Sequence, residues 1–206
     1  MARCLCLLAL VLALHAESVV FLGDSITAGH GLTAEQAYPA LLGAALPGWT
    51  VVNAGVSGDT SAGGLRRLDW VLKGRPRVVV IALGGNDGLR GLPVDQLEAN
   101  LRGMVAKVRT AGATPLLIGM RMPKNLGPAY VAAFDAVYPR LAKELDVALL
   151  SFLLDGVALD PALNQSDLVH PNAKGQQVIA GKVGAWLKPL LPAASGQTPA
   201  ASGQTP

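Results

Sequence analysis

A serine follows a short apolar run near the start of the chain, in a turn that contains a glycine. Gly23, Asp24 and Ser25 follow directly on residues 18–22, which read Ser-Val-Val-Phe-Leu. This pattern predicts a hydroxyl held where a buried strand gives way to a turn. Far downstream, residues 167–171 read Asp-Leu-Val-His-Pro and place a carboxylate three residues before an imidazole. Together the two segments contain a nucleophile, a base and an acid to orient the base, which are the residue types of a serine hydrolase.

The base must be one of two histidines, since only His30 and His170 lie beyond the first sixteen residues. His170 shares a short segment with Asp167, which can orient its ring, whereas His30 lies in a glycine-flanked loop. We therefore predict His170 as the base and Asp167 as its partner. The structural alternative is that Asp167 caps a helix and that His170 is a surface residue before Pro171. The serine segment and two further loops favour the catalytic interpretation.

Those two loops contain candidate donors for an oxyanion hole. Attack on an acyl carbon creates a negatively charged oxygen, which needs hydrogen-bond donors fixed in advance. The candidates are the backbone N–H groups of Ser25 and Gly58 and the side-chain amide of Asn86. Glycine and asparagine are also ordinary turn residues, so a purely structural role remains open for Gly58 and Asn86.

The elements that would position these residues form an alternating pattern. Short apolar runs alternate with stretches of helical period, which is typical of a parallel sheet covered by helices on both faces. The predicted strands are 18–22, 50–53, 78–83, 114–120 and 147–152, and the predicted helices are 34–46, 61–73, 97–108, 128–145 and 171–190. Ligands bind such sheets beyond the carboxyl ends of the strands. Ser25, Gly58 and Asn86 follow the first three strands, so we expect them at one edge, within reach of His170.

Bulk composition limits the remaining possibilities. The 206 residues are 51% hydrophobic and 15% charged, which predicts one globular domain, and a net charge of +3 without basic runs gives no support for nucleic-acid binding.

Residues 1–16 have a basic start, an apolar stretch and a small final residue, so they predict a signal peptide and a periplasmic or secreted protein. Their apolar stretch is too short for stable membrane insertion. Both cysteines lie within residues 1–16. The repeated sequence at 193–206 predicts a disordered tail, so the predicted domain is 17–192.

Four segments of the chain resemble the four sequence blocks of the SGNH hydrolase (GDSL esterase) superfamily, in the family's order. They are 23–25, Gly58, 85–87 and 167–170, and the likeness extends over about residues 18–191. It implies a flavodoxin-like three-layer α/β/α sandwich with a five-stranded parallel sheet in the order 2-1-3-4-5. It also implies Ser25 as nucleophile with Asp167 and His170, and an oxyanion hole formed by Ser25, Gly58 and Asn86. One departure is Leu168, where this branch often has glycine.

Within the superfamily, the chain resembles the branch of secreted thioesterases, arylesterases and lysophospholipases. The resemblance implies an exported, monomeric esterase that forms a covalent acyl-enzyme on Ser25 and needs no metal or cofactor. The loop at 121–128 should overhang the site or merely connect its neighbours. The residues expected to line the acyl groove are Leu32, Leu89, Leu126 and Val169. The alternatives are a short-chain carbohydrate acetylesterase and a nucleotide- or flavin-binding module, and no phosphate-binding glycine motif supports the latter.

Overall fold

The computed structural model describes residues 17–192 of the chain. The predicted signal peptide at 1–16 and the predicted disordered tail at 193–206 lie outside the described residues. Five parallel strands form one sheet in the order β2-β1-β3-β4-β5. The strands are β1 Ser18–Gly23, β2 Thr50–Gly55, β3 Val78–Ala82, β4 Thr114–Ile118 and β5 Leu149–Leu150. The predicted strand order is confirmed.

Helices flank this sheet and complete the three-layer sandwich. They are α1 Ser25–Ala28, α2 Tyr38–Ala45, α3 Ser61–Leu72, α4 Gly85–Leu89, α5 Val94–Thr110, α6 Pro128–Leu145 and α7 Ala173–Leu187. Helices α2 and α7 pack on each other, while α3, α5 and α6 pack side by side. Short 3-10 helices lie at Ala34–Gln36, Lys124–Leu126 and Lys188–Leu190. No helix among residues 17–192 is long and apolar enough to span a membrane.

The register of the central strands brings the loops after them to the same level. Gly23 at the end of β1 lies opposite Gly55 of β2 and Ala82 of β3. Gly55 also lets α1 approach closely, because a Cβ atom there would lie only 2.3 Å from the backbone nitrogen of Ala28. The chain therefore leaves β1, β2 and β3 at a common edge, as the sequence predicted.

Burial differs between the inner and edge strands. All residues of β1 and β3 are buried, because each strand has a neighbour on both sides and apolar side chains facing both helical layers. The expectation of burial on both faces is wrong for β2, whose residues are exposed or half-buried. An edge strand has only one neighbour, so its outer side remains accessible to water. Likewise β5 is limited to Leu149–Leu150 instead of the predicted 147–152.

Two predicted helices have different boundaries in the structure. The segment predicted as one helix over 34–46 contains a 3-10 turn, an extended Ala37 and then α2. Pro39 lacks an N–H group and its ring crowds the carbonyl four residues earlier, which disfavours a helix interior but suits the first helical turn, and α2 accordingly begins at Tyr38. The last helix begins at Ala173 instead of Pro171, because the Asn172 side chain accepts hydrogen bonds from the first free backbone N–H groups.

Candidate active site

Three side chains at the common strand edge form a linear hydrogen-bonded chain. The Ser25 hydroxyl oxygen lies 2.9 Å from His170 Nε2, although the two residues are 145 positions apart in the sequence. His170 Nδ1 lies 2.7 Å from Asp167 Oδ2. One imidazole thus connects a hydroxyl to a carboxylate. This arrangement can remove a proton from Ser25 while the carboxylate stabilises the imidazolium that forms.

The turn that contains Asp167 and His170 is fixed by its own hydrogen bonds. Asp167 Oδ1 accepts the backbone N–H groups of Val169 at 2.9 Å and of His170 at 3.0 Å. The hydrogen bond from the His170 ring, together with these two, holds the pKa of Asp167 well below its usual range. The carboxylate is therefore ionised at neutral pH, and it fixes both the backbone and the ring of the histidine.

Ser25 begins α1, a single helical turn directly after β1. The Asp24 carboxylate caps this turn by accepting the backbone N–H of Ile26 at 3.0 Å, and Gly29 ends it in a left-handed conformation. The serine is buried, with only 8% of its surface exposed. Its hydroxyl is presented by a short helix and not by the strained elbow of the Gly-x-Ser-x-Gly motif.

The candidate oxyanion donors lie on the loops after β2 and β3. Asn86 Nδ2 lies 3.0 Å from the backbone oxygen of Asp59 and 3.5 Å from Asp24 Oδ2, so its amide connects both neighbouring loops. Gly58 has a positive φ of 77°, which a residue with a side chain adopts only with strain. Its carbonyl accepts a 2.9 Å hydrogen bond from Arg90, which fixes the orientation of the loop.

Arg67 and Asp87 hold these loops together, and sequence reasoning missed both. Arg67 donates to the backbone oxygen of Gly23 at 2.9 Å and to the Asp59 carboxylate at 2.7 Å, so it connects the serine loop with the Gly58 loop. Asp87, which is buried, accepts the backbone N–H of Ser61 at 2.8 Å and its hydroxyl at 2.5 Å. Arg67 is a single polar residue on a helix, and Asp87 was noted only as part of the segment 85–87, so only their contacts reveal this function.

An apolar cavity of about 320 Å³ opens beside the serine. Ser25, Asn86 and His170 line it, together with the charged residues Asp24 and Arg121. Its apolar walls come from several loops and are formed by Ile26, Leu89, Met120, Met122, Pro123, Phe152, Leu154, Ala158, Leu159, Leu168 and Val169. Such a cavity, largely apolar with a few polar groups, is typical of a site for a small ligand.

The comparisons with known proteins agree with this geometry. Residues 21–178 match the model of the GDSL-like Lipase/Acylhydrolase family. The chain belongs to this family. It is 47% identical to the protein of Escherichia coli named thioesterase 1/protease 1/lysophospholipase L1, over 87% of each chain. It is 43% identical to the esterase TesA of Pseudomonas aeruginosa, over 93% of this chain and 98% of the relative. The chain is accordingly an ester hydrolase.

A solved structure extends this agreement to three dimensions. The psychrotrophic esterase EstA from Pseudoalteromonas sp., inhibited by monoethylphosphonate, superposes with a TM-score of 0.81 at 34% sequence identity. The match covers 85% of this chain and 98% of that one. The strand order and the flanking helices of this hydrolase are therefore those of a lipase/acylhydrolase fold.

Two of the four residues expected to line the acyl groove of the hydrolase lie elsewhere. Leu89 and Val169 line the cavity, but Leu32 and Leu126 do not. Leu126 lies in a 3-10 helix and packs against the hydrophobic core. Leu32 is half-buried in the turn that follows α1, where its N–H donates to the backbone oxygen of Gly29. Four wall residues that sequence reasoning did not name come from residues 152–159, of which only residue 152 was predicted as strand. Met122 and Pro123 also line the cavity, and they lie in the loop at 121–128 that was expected to overhang the site.

His30, the alternative base, lies beside the hydrolase site without contacting the serine hydroxyl. Its ring centroid is 4.6 Å from that of His170, and its Nδ1 atom is 3.4 Å from the Ser57 hydroxyl. The structure thus places His170, and not His30, against Ser25. Among residues 17–192, no group of three or more histidine, cysteine or acidic side chains is arranged to hold a metal ion.

Asp24 gives the hydrolase a buried carboxyl group next to Ser25. Only 3% of the residue is exposed, and burial raises the pKa of Asp24 from its ordinary value of 3.8 to about 6. Because the folded state holds this proton more tightly, protonation contributes stability that is fully present below pH 3.8 and is lost as the pH rises through about 6. At neutral pH the ionised group therefore lowers the free energy of unfolding.

Replacing Asp24 with asparagine should stabilise the hydrolase above about pH 7. The amide oxygen can still accept the Ile26 N–H, while the buried charge, which costs about 3 kcal/mol for a shift of this size, is removed. We expect Tm to rise by about 5–10 °C at neutral pH and the difference to vanish toward pH 4. Thermal unfolding followed by circular dichroism, at pH values from acid to neutral, measures the rise in Tm and its dependence on pH. If plots of Tm against pH ran parallel for the wild type and the variant, the prediction would be refuted. The control is Asp69→Asn, which removes an exposed carboxylate.

Proposed function

We propose that this hydrolase is an exported esterase that cleaves acyl thioesters, aryl esters and lysophospholipids through a covalent acyl-enzyme on Ser25. The observation that supports it best is the continuous hydrogen-bonded chain from Ser25 through His170 to Asp167, with distances of 2.9 and 2.7 Å. Serine alone is a weak nucleophile, so a base at hydrogen-bonding distance is what the chemistry requires.

The first step forms the acyl-enzyme. His170 Nε2 removes the hydroxyl proton of Ser25 as its oxygen attacks the acyl carbon, and the carbonyl oxygen of the substrate takes the negative charge. Asp167, ionised at neutral pH, stabilises the imidazolium without taking its proton. The tetrahedral intermediate then collapses, and the alcohol or thiol leaves with the proton from His170. The ester bond of the substrate breaks as the ester bond to Ser25 forms.

The negative charge of that intermediate is met by donors fixed before the reaction. Asn86 supplies a side-chain N–H, and Ser25 and Gly58 supply backbone N–H groups. The contacts of Asn86 with Asp59 and of Arg90 with the Gly58 carbonyl hold these donors in place, so little energy is spent on orienting them as charge develops.

The second step releases the acid by the same groups. His170 removes a proton from water, the resulting hydroxide attacks the acyl-enzyme, and the same donors stabilise the second oxyanion. The intermediate collapses, the Ser25 oxygen takes the proton back from His170, and the carboxylic acid leaves. Every proton removed is returned, so no cofactor is needed for the balance.

The substrate class is supported by the cavity and by the named relatives. The apolar walls next to Ser25 can shelter a hydrocarbon chain, and each buried methylene contributes about 0.8 kcal/mol to binding. A sugar would find few polar partners there, so the lining favours longer acyl chains over a carbohydrate acetylesterase. The relative from Escherichia coli has thioesterase and lysophospholipase in its name. Leu89 and Val169, two of the residues expected to line the groove, keep this role.

Export and a monomeric state complete the proposal. The composition of residues 1–16 supports a signal peptide that delivers the enzyme to the periplasm or the medium. Lysophospholipids and acyl esters are small molecules that reach the open cavity of a single chain without a second subunit. The mature enzyme would bind neither nucleic acid nor the membrane interior.

The proposal is tested by the mature chain acting on p-nitrophenyl esters from acetate to palmitate, with a lysophospholipid and an acyl thioester as further substrates. We expect turnover of esters well beyond acetate. A p-nitrophenyl alkylphosphonate should stop the reaction by forming one covalent adduct, because phosphorus is attacked as the acyl carbon would be and the tetrahedral product cannot be deacylated readily.

Peptide mass spectrometry then locates the adduct. The proposal requires the phosphonate on Ser25 itself, which is located by fragmenting the tryptic peptide that ends at Arg66, because this peptide also contains Ser57 and Ser61. A matched labelling of Ser25→Ala should leave the protein unmodified. An adduct on another serine, or an active enzyme that resists the phosphonate, would rule out the acyl-enzyme on Ser25. Hydrolysis of acetate alone would instead indicate the acetylesterase.

A further inference from the structure

Two leucines of the described chain adopt the left-handed backbone conformation that side chains rarely accept. Leu159 has a φ of 62° and Leu168 a φ of 58°. In this conformation the Cβ atom crowds the following carbonyl, so glycine, and less often asparagine or aspartate, is the usual residue. The other two such residues with side chains among residues 17–192 are Arg75 and Asp146. Only the two leucines combine this backbone with an apolar side chain.

Both leucines line the cavity beside Ser25 and extend into solvent. Leu159 is 63% exposed and Leu168 is 38% exposed. The described residues include seven exposed large hydrophobic side chains, and four of these line the cavity: Leu89, Leu159, Leu168 and Val169. Apolar surface left in water at one place indicates contact with an apolar group that covers it. The exposed side chains are therefore concentrated at the mouth of the acyl cavity.

Neighbouring groups hold both strained positions in place. The buried Asn164 donates hydrogen bonds to backbone oxygens before and after Leu159. Its Nδ2 atom lies 2.5 Å from the backbone oxygen of Val157 and 2.9 Å from the backbone oxygen of Asp160. The Leu168 N–H donates to the backbone oxygen of Gln165 at 3.0 Å. None of these bonds involves a leucine side chain. A glycine would satisfy the same backbone with less strain, so each leucine contributes its hydrocarbon and nothing that the turn requires.

We propose that Leu159 and Leu168 form an outer wall of the acyl cavity and set the preference of the enzyme for medium and long acyl chains. Acetyl groups end near Ser25 and do not reach this wall, whereas the far methylenes of a longer chain cover it. Leu168 occupies the position at which the resembled branch often has glycine, so the wall distinguishes this chain from that pattern. The inference rests on the proposed ester hydrolysis at Ser25 and specifies its substrate range.

The test compares kcat/KM for p-nitrophenyl octanoate and acetate, both kept below the concentration at which they aggregate. We expect Leu168→Gly and Leu159→Gly each to lower the octanoate-to-acetate ratio by about tenfold, since each methylene that the wall no longer shelters from water weakens binding by about fourfold. The effect should appear mainly as a higher KM for octanoate. Leu168→Met, which keeps a long apolar side chain, should retain most of the wild-type ratio.

Arg75→Gly is the matched control. It relieves the same backbone strain at an exposed position that does not line the cavity, so it should leave the ratio unchanged. Leu168→Asn gives a second variant tolerant of the left-handed conformation if the glycine variant folds poorly, and thermal unfolding checks each protein.

Two results would overturn the inference. An unchanged octanoate-to-acetate ratio in the leucine variants would show that the acyl chain does not touch the wall. An equal fall for both esters would show that the leucines act only by supporting the turn of Asp167 and His170. In either case, octanoate hydrolysis by the wild type that is lost in Ser25→Ala would leave the proposed function standing, whereas a wild type inactive on every ester would refute that function itself.

Discussion

Replacing Ser25 with alanine is expected to lower kcat for ester hydrolysis by about 10⁴-fold or more, because the variant has no atom that can form the acyl-enzyme. The hydroxyl contacts His170, and removing one oxygen from a small side chain leaves the strand-to-helix turn intact. The Asp24 cap, which holds that turn, is untouched. Tm should therefore remain within a few degrees of the wild type. Steady-state kinetics with p-nitrophenyl butyrate measures the loss.

The double variant Ser25→Ala/His170→Ala provides a stringent check. Residues that act as one unit are not additive, so it should be no slower than the slower single variant. Additive losses would show that Ser25 and His170 act independently. Ser57→Ala, which removes an exposed hydroxyl from the neighbouring loop, is the matched control and should retain most of the activity. Turnover near the wild-type value in Ser25→Ala would exclude the serine as nucleophile.

Asn86→Ala should lower kcat by about 10²–10³-fold with a much smaller change in KM. The amide donates mainly to the oxygen on which charge develops, so its loss raises the barrier and leaves the bound ground state nearly unaffected. Asn86→Asp is expected to be at least as slow, because it replaces the donor by a carboxylate that repels the oxyanion. Kinetics over a full range of substrate concentrations separates kcat from KM.

Asn100→Ala is the control for loosening of the loop. Asn100 donates to the Ser61 hydroxyl, which in turn donates to Asp87 of α4, so the removal of Asn100 disturbs the support of Asn86 without removing a donor from the site. It should lose far less activity than Asn86→Ala. If instead Asn86→Ala raised KM at constant kcat, Asn86 would bind substrate and not the transition state. Equal losses in the two variants would assign the effect to loop position.

The hydrogen bonds of Arg67 explain why each substitution is expected to remove one functional group without moving the rest of the site. Arg67 bonds the Gly23 backbone and the Asp59 carboxylate, and Asn86 bonds the Asp59 backbone. The loops after β1, β2 and β3 are therefore joined to one another independently of the Ser25 hydroxyl. Since the site is supported by contacts that substrate does not touch, a single functional group can be removed while the others keep their positions.

The amino-acid sequence was sufficient to predict the sheet and the residues at its functional edge. Buried strands appear as continuous apolar runs, and the helical stretches between them favour parallel pairing, so local patterns contain this information, whereas the strand order came from the family resemblance. Ser25, Asp167 and His170 could be predicted because their residue types and their positions after strands limit the chemistry. Gly58 and Asn86 needed the family resemblance as well, since each alone is an ordinary turn residue.

The tertiary structure decided what depends on contacts between distant segments. No sequence pattern indicates that Asp24 is buried, that Arg67 connects two loops, or that Leu126 packs on the core instead of the cavity. The walls of the cavity come from segments more than a hundred residues apart, and which side chains face it depends on how these segments pack against one another. Periodicity shows which face of an element is apolar, but two apolar surfaces, a core and a ligand cavity, have the same signature in sequence. Only packing separates them, because it alone determines which apolar side chains have protein atoms against them and which are left for a substrate.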